Sequence, residues 1–173
     1  IRDDDPVLFM EPKRIYRAFR SDVPVGPYTV PLGSAAIARE GDDVTLIAWG
    51  AMARLCLDSA EVLAHEGVSA EVVDLRTLNP LDRETLLASV VKTGRAVVVH
   101  EAPRTNGFGA EIAALINEHA MLQLLAPVER VAGFDVVFPL AKQEHLYLPS
   151  RERVTSRYSA RATSKPAPMI TSR

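Results

Sequence analysis

The segment with the most chemical character is 100–107, where His100, Glu101 and Arg104 precede a glycine-containing loop at the predicted end of a strand. A histidine moves protons near neutral pH, and Glu101 could orient it. These three residues are therefore our candidate catalytic residues. Adjacent strand residues point to opposite faces, so His100 and Glu101 need not meet. A structural role is favoured, in which His100 caps a sheet and Glu101 forms an inter-subunit ion pair.

Two other segments could bind ligands. The segment 49–52 has one glycine before a predicted helix, whose N-terminus could receive an anion. It lacks the spaced glycines of a dinucleotide fingerprint, so a plain strand-to-helix turn is favoured. Arg76 could pair with a ligand carboxylate, but a bridge to Asp74 or Asp82 is favoured.

Composition excludes several classes of protein. The chain has 173 residues, of which 47% are hydrophobic and 24% charged, as in a soluble globular domain. A net charge of -2 gives no broad positive field for nucleic acid or an anionic membrane. The single cysteine, Cys56, excludes an internal disulfide and is interpreted as a packed thiol. His65, His119 and His145 have no metal-ligand spacing, so no metal site is expected.

The elements that must position these residues alternate between strands and helices. Continuous apolar runs with β-branched residues predict buried strands, and glycines end several of the helices between them. The pattern predicts an α/β fold with three α/β/α layers around a mostly parallel sheet, in which ligands bind at the carboxyl ends of the strands. The predicted strands are 44–49, 70–75, 95–100 and 128–132, and the predicted helices are 51–66, 82–92, 107–120 and, less regularly, 139–147.

The chain divides into four parts. Residues 1–14 contain a predicted buried strand at Val7–Met10, which begins so abruptly that we expect a preceding part of the protein to be missing. Residues 15–43, with their prolines and glycines, are interpreted as a linker and domain entry. Residues 44–150 form the predicted domain. Residues 151–173 are rich in polar residues, and we expect a disordered tail or an arm ordered by a partner.

Several motifs, in order, resemble the C-terminal part of the beta subunits of thiamine-diphosphate-dependent 2-oxo acid dehydrogenases, which carry a transketolase-type C-terminal domain. The resemblance covers about residues 6 to 150. Its segment 9–14 is similar to the last strand of the family's pyrimidine-binding domain. The His-Glu-Ala-Pro and Gly-Phe-Asp forms resemble the branched-chain subgroup. The other matching segments are 30–34, 38–44, 49–52, 73–82, 100–112 and 126–135.

The resemblance implies a heterotetramer of two alpha and two beta subunits. Such an enzyme decarboxylates a 2-oxo acid with thiamine diphosphate and magnesium, then transfers the acyl group to a lipoyl group of an acyltransferase. The family's cofactor-activating glutamate belongs to a domain that would precede Ile1, so we expect this fragment to bind no cofactor and to be inactive alone. The cytoplasm of a bacterium or the mitochondrial matrix is the expected location.

The implied roles of this domain are dimerisation and docking of the acyltransferase's subunit-binding domain. That partner is basic, so Asp135 and Glu144 are candidate contacts. Two departures from the family concern Asn106, where a glycine is usual, and the tail after Val154, which lacks the usual terminal amphipathic helix. The alternatives are a pyruvate dehydrogenase beta subunit, a non-catalytic binding or assembly module, and the C-terminal domain of another thiamine enzyme, against which the motif at 100–112 argues.

Overall fold

The computed structural model describes residues 3–162, which build one five-stranded sheet with helices on both faces. The strand order is β1-β3-β2-β4-β5; β1 is antiparallel to β3, and the other pairs are parallel. The strands are β1 Ala36–Arg39, β2 Val44–Ala48, β3 Ala70–Asp74, β4 Ala96–Pro103 and β5 Glu129–Gly133. The helices are α1 Ala51–His65, α2 Arg83–Thr93, α3 Gly109–Ala120, α4 Glu144–Tyr147 and α5 Arg151–Ala162.

Two apolar clusters lie on opposite faces of this sheet, which confirms the predicted three-layer α/β fold. Helices α1 and α5 contribute to one cluster, and α2 and α3 contribute to the other. Every residue of the central strand β2 is buried, as expected for an apolar run covered on both faces. No helix of the described residues 3–162 is long and apolar enough to cross a membrane.

The strand expected at Val7–Met10 does not form in this chain. Leu8, Phe9 and Met10 are 85%, 80% and 78% exposed. A strand requires a neighbour to bond its backbone groups. This segment has no strand partner within the described residues. Its apolar side chains remain on the surface, and its assignment to a preceding domain stays a prediction.

The structure also corrects two short elements of the predicted organisation. The entry segment 15–43 contains β1, whose pairing with β3 makes it part of the sheet. The helix expected at 139–147 is reduced to α4, which spans four residues. Both errors have one physical cause: short elements are decided by tertiary partners more than by local sequence.

The expected disordered tail is wrong for residues 151–162, which form α5. Val154 is fully buried in the cluster that α1 lines, and Tyr158 packs against the same cluster. The Ser150 side chain accepts the Arg153 N–H at 3.3 Å, at the start of the helix. The chain therefore has a helix after Val154, contrary to the expected departure from the family. Residues 163–173 of the expected tail lie outside the described residues.

Candidate functional site

His100 lies within β4, three residues before the strand ends, and its side chain is only 1% exposed. Its ring stacks on Trp49, with centroids 5.5 Å apart and planes 6° from parallel. Neither ring nitrogen has a hydrogen-bond partner among the described residues. Burial, with smaller contributions from the charges of Arg130 and Arg104, lowers the pKa of His100 to about 4. His100 is therefore neutral at physiological pH.

The backbones of Gly107 and Gly109, which follow β4, approach the imidazole of His100 closely. A Cβ atom on Gly109 would lie 2.4 Å from Cδ2 and Nε2 of His100, and one on Gly107 would lie 2.6 Å from Cε1. Only a residue without a side chain permits such close backbone approach. The loop therefore closes the ring edges while Trp49 covers one face, which is a packed position for His100.

Glu101 and Arg104 occupy different surroundings. No hydrogen bond joins Glu101 to the His100 ring, and Glu101 lines an open groove instead. Arg104 Nη1 donates to the Arg130 carbonyl at 3.0 Å, and Arg130 Nη1 donates to the Arg104 carbonyl at the same distance. The structure thus does not assemble the three candidates into one catalytic group. Their catalytic role remains a prediction.

Asp135 and Glu144, the candidate docking residues, also differ. Both carboxylate oxygens of Asp135 accept hydrogen bonds from Thr105, from its N–H at 2.9 Å and from its hydroxyl at 2.8 Å. These bonds hold the pKa of Asp135 below its usual range. Glu144 is half-buried at the start of α4 and lines the same groove as Glu101.

The groove has a volume of about 920 Å³ and lies between the end of β4 and the segment 138–150. Phe138 and Tyr147 form an edge-to-face pair in its wall, with centroids 4.9 Å apart. Charged and titratable groups also line it: Glu101, Lys142, Glu144 and His145. Aromatic rings together with a few charged groups in one groove are typical of a binding surface.

The two other segments have structural roles in the described chain. The backbone N–H of Arg76 donates to Asp74 Oδ1 at 3.2 Å, whereas the expected side-chain bridge from Arg76 to Asp74 or Asp82 stays a prediction. Asp82 instead caps α2 and accepts the N–H groups of Thr85 and Ala35 at 3.0 and 2.9 Å. The turn at 49–52 begins α1 as a plain strand-to-helix connection.

A buried polar network at Glu71 was not anticipated from the sequence. Glu71, 1% exposed within β3, accepts hydrogen bonds from Lys92 and Ser89. Burial raises the pKa of Glu71, but these bonds outweigh it and leave the pKa below its ordinary value. The Ser89 hydroxyl also bonds Thr45 Oγ1 at 2.9 Å, which ties α2 to β2. A glutamate inside an apolar strand was the signal that could have revealed it.

Arg153 is a second residue that sequence reasoning missed. Its Nη2 donates to the Ala132 carbonyl at 2.5 Å, and its Nη1 donates to the Leu148 carbonyl at 3.3 Å. Its guanidinium lies 4.5 Å from the centre of the Phe134 ring. Arg153 therefore joins α5 to β5 and to the segment that walls the groove.

Residues 3–162 contain no group of three or more His, Cys, Asp or Glu side chains placed to hold a metal ion. We therefore derive no reaction step through a metal ion.

The sheet with helices on both faces makes this chain an α/β domain. The family model for the transketolase C-terminal domain matches residues 33–154, and the chain belongs to that family.

Named relatives are similar along most of the chain. The pyruvate dehydrogenase E1 component subunit beta of Bacillus subtilis is 51% identical over 154 residues, covering 89% of this chain and 47% of that protein. The mitochondrial 2-oxoisovalerate dehydrogenase subunit beta of Dictyostelium discoideum is 49% identical over 150 residues, covering 86% of this chain and 40% of that protein. The chain therefore spans about half the length of the curated relatives it matches.

A solved structure agrees with the fold. The chain described as a split gene transketolase, inactive beta4 tetramer, has a TM-score of 0.69 and 31% identity. The match covers 79% of this chain and 44% of that one. The α/β architecture is thus shared with a transketolase.

Proposed function

We propose that this chain is the C-terminal part of the beta subunit of the decarboxylating component of a 2-oxo acid dehydrogenase complex. The observation that carries the proposal is the 51% identity to a pyruvate dehydrogenase beta subunit over 89% of the chain. The parent enzyme would decarboxylate a 2-oxo acid with thiamine diphosphate and magnesium and pass the acyl group to a lipoyl group. The bacterial cytoplasm or the mitochondrial matrix is the proposed location.

The substrate is the finer part of the proposal. The motifs around His100 and Asp135 favour a branched-chain 2-oxo acid, whereas identities of 51% and 49% do not separate a pyruvate relative from a 2-oxoisovalerate relative. Pyruvate is therefore the alternative substrate. Rates with pyruvate and 2-oxoisovalerate, measured on the same preparation of assembled enzyme, distinguish the two.

Within that enzyme, we propose that this domain serves assembly and docking. An exposed apolar segment supports the role, because large apolar surface mostly marks contact with another chain. It contains Val137 and Leu140, which are 92% and 87% exposed. The proposed partners are the alpha subunit, a second beta subunit and the subunit-binding domain of the lipoyl acyltransferase.

The activity test compares two mixtures. The cognate alpha subunit is combined either with the full-length beta subunit or with this 173-residue chain, in the presence of thiamine diphosphate and magnesium. We expect decarboxylation of a 2-oxo acid in the first mixture only. Turnover in the second mixture would contradict the inactivity of the fragment. A lack of turnover with every 2-oxo acid in the first mixture would overturn the enzyme assignment itself.

The docking test uses Glu144, since Asp135 is already bound to Thr105. We expect Glu144→Gln to weaken binding of the isolated subunit-binding domain about three- to tenfold, measured by calorimetry at low salt. Glu118→Gln is the matched control, because its side chain is 69% exposed on α3. Equal affinities for the two variants would remove Glu144 from the docking surface. A chain that binds this domain without supporting catalysis in any assembly would favour the non-catalytic binding module.

A further inference from the structure

A cavity of about 300 Å³ between β5 and α5 is lined mainly by arginines. Arg130 comes from β5, and Arg153 and Arg157 come from successive turns of α5. The remaining lining residues are Val131 and Ser156. No carboxylate is among the described residues that line it, so its lining side chains include three positively charged ones.

The charges of two of these arginines are solvated by neutral groups. Arg130 donates to the Arg104 carbonyl at 3.0 Å, and Arg153 donates to the Ala132 carbonyl at 2.5 Å. A carbonyl oxygen satisfies an N–H donor but does not cancel a positive charge. Arg157 forms an ion pair with Glu129, whose Oε2 lies 3.8 Å from Arg157 Nη1, so this carboxylate offsets one of the three positive charges. The cavity therefore keeps an excess of positive charge.

Two of the arginines that line the cavity, Arg153 and Arg157, repel each other within α5. Arg153 and Arg157 are four residues apart, so they share one face of the helix, and like charges at this spacing destabilise it. Burial, and then the charge of Arg157, lower the pKa of Arg153. The sequence from 153 to 173 holds five basic residues and no acidic residue. No side-chain carboxylate of that stretch can offset the repulsion.

We propose that this cavity is a binding site for a small phosphate-class anion, such as inorganic phosphate, diphosphate or the phosphate group of a soluble metabolite. Arginine guanidinium groups bind phosphate oxygens through paired N–H donors, and several of them can surround one tetrahedral anion. Arg157 and Arg130 are the principal ligands. Arg153 is a positioning residue, because its donors hold α5 against the carbonyls of the neighbouring segments. The cavity's limited size favours a small anion over a nucleic acid or other polyanion.

Binding would join α5 to β5, so it should stabilise the folded chain as any ligand of the native state does. The test titrates the full 173-residue chain with inorganic phosphate and with diphosphate, at constant ionic strength maintained with chloride. Thermal unfolding gives the stabilisation, and calorimetry gives Kd. We expect a rise in Tm with phosphate, a larger rise with diphosphate, and none with acetate.

Variants locate the site. Arg157→Gln should raise Kd about tenfold, whereas Arg157→Lys, which keeps the charge but loses the paired donors, should raise it about threefold. Arg151→Gln is the matched control, because it removes the same charge from an exposed position of α5 outside the cavity. It should leave Kd unchanged. Arg130→Gln, on the opposite wall, should also weaken binding.

Several outcomes would overturn the proposal. One is a Tm that responds to phosphate no more than to chloride or acetate. Another is an equal loss of phosphate binding in Arg157→Gln and Arg151→Gln, which would indicate a diffuse effect of helix charge. Tight binding of heparin without any effect of phosphate would assign the cluster to a polyanion instead. If Arg157→Gln fails to fold, Arg157→Lys and Arg130→Gln still decide the case. The first variant keeps the positive charge and the second removes it, and both side chains are accessible to solvent.

Discussion

Replacement of His100 by phenylalanine should flatten the pH dependence of stability between pH 8 and pH 5. The His100 ring is 1% exposed and both its nitrogens lack partners within the described chain, so the folded state disfavours its protonation. The unfolded chain has no such constraint. Phenylalanine retains a flat ring that can stack on Trp49, and it cannot titrate.

The sign follows from the two pKa values. The pKa of His100 is about 4 in the folded chain, against the ordinary value of 6.5. Between these values the unfolded state binds more protons, so acid favours unfolding and stability rises with pH. The His100 contribution is complete above pH 6.5 and is progressively lost as the pH falls towards 4. From pH 8 to pH 5 the loss is about 2 kcal/mol.

The assay is urea unfolding of the wild-type chain and His100→Phe at pH 8, 7, 6 and 5. Carboxylates such as Glu71 and Asp82 titrate in both proteins, so the difference between the two slopes isolates His100. The exposed His65 gives the matched control: His65→Gln should keep the slope of the wild-type chain. If His100→Phe loses as much stability as the wild type over this range, His100 is not a buried neutral histidine and the enclosure described above is wrong. An NMR titration of the His100 ring would then show an ordinary pKa.

Two further substitutions, Lys92→Met and Gly109→Ala, test contacts of buried side chains. Lys92→Met should destabilise the fold by about 2 kcal/mol at neutral pH, because it leaves the Glu71 carboxylate buried with fewer partners. The figure is below that for a fully buried pair, since the Lys92 side chain is 40% exposed. Glu40→Gln, which removes only the exposed pair of Lys92, should change the free energy of unfolding by less than about 0.5 kcal/mol; equal effects in urea unfolding would refute the buried role. Gly109→Ala should cost about 1 to 3 kcal/mol, because its Cβ atom would lie 2.4 Å from the His100 ring; unchanged stability by the same assay would show that the loop can move aside.

The secondary structure of the central elements could be predicted because it is determined by the residues within each element. The strand at 44–48 is apolar except for Thr45, and all five residues are buried. Gly94 ends α2 with a positive φ, as a glycine at this position predicts. Strand β1 was missed because its four residues show a mixed burial pattern and gain their structure from pairing with β3, about 35 positions further along the chain. The pattern of residues within β1 does not indicate so distant a pairing partner.

Helix α5 was missed for a related reason. Its sequence is polar and basic, which is typical of disorder in isolation. In the folded chain, Val154 fills a place in the core beside α1, and Arg153 bonds carbonyl groups of two other segments. These contacts supply the stability that the helix lacks on its own. Arg153 thus serves as a packing and hydrogen-bonding residue, which the polar composition of the segment did not indicate.

In the candidate site, the type of a side chain does not by itself predict the residues that surround it in the fold. His100 was singled out because it was expected at a strand end, whereas the structure extends β4 to Pro103 and places His100 inside the strand. Its enclosure depends on Trp49 and on the backbone approach of Gly107 and Gly109. The same loop continues to Arg104, whose reciprocal bonds with Arg130 link the buried histidine to the surface of β5. A substitution at His100 can therefore alter the groove and the arginine cavity without touching a ligand. Loss of activity in such a variant would not by itself make His100 catalytic, whereas a changed pH dependence of stability would reveal its structural role directly.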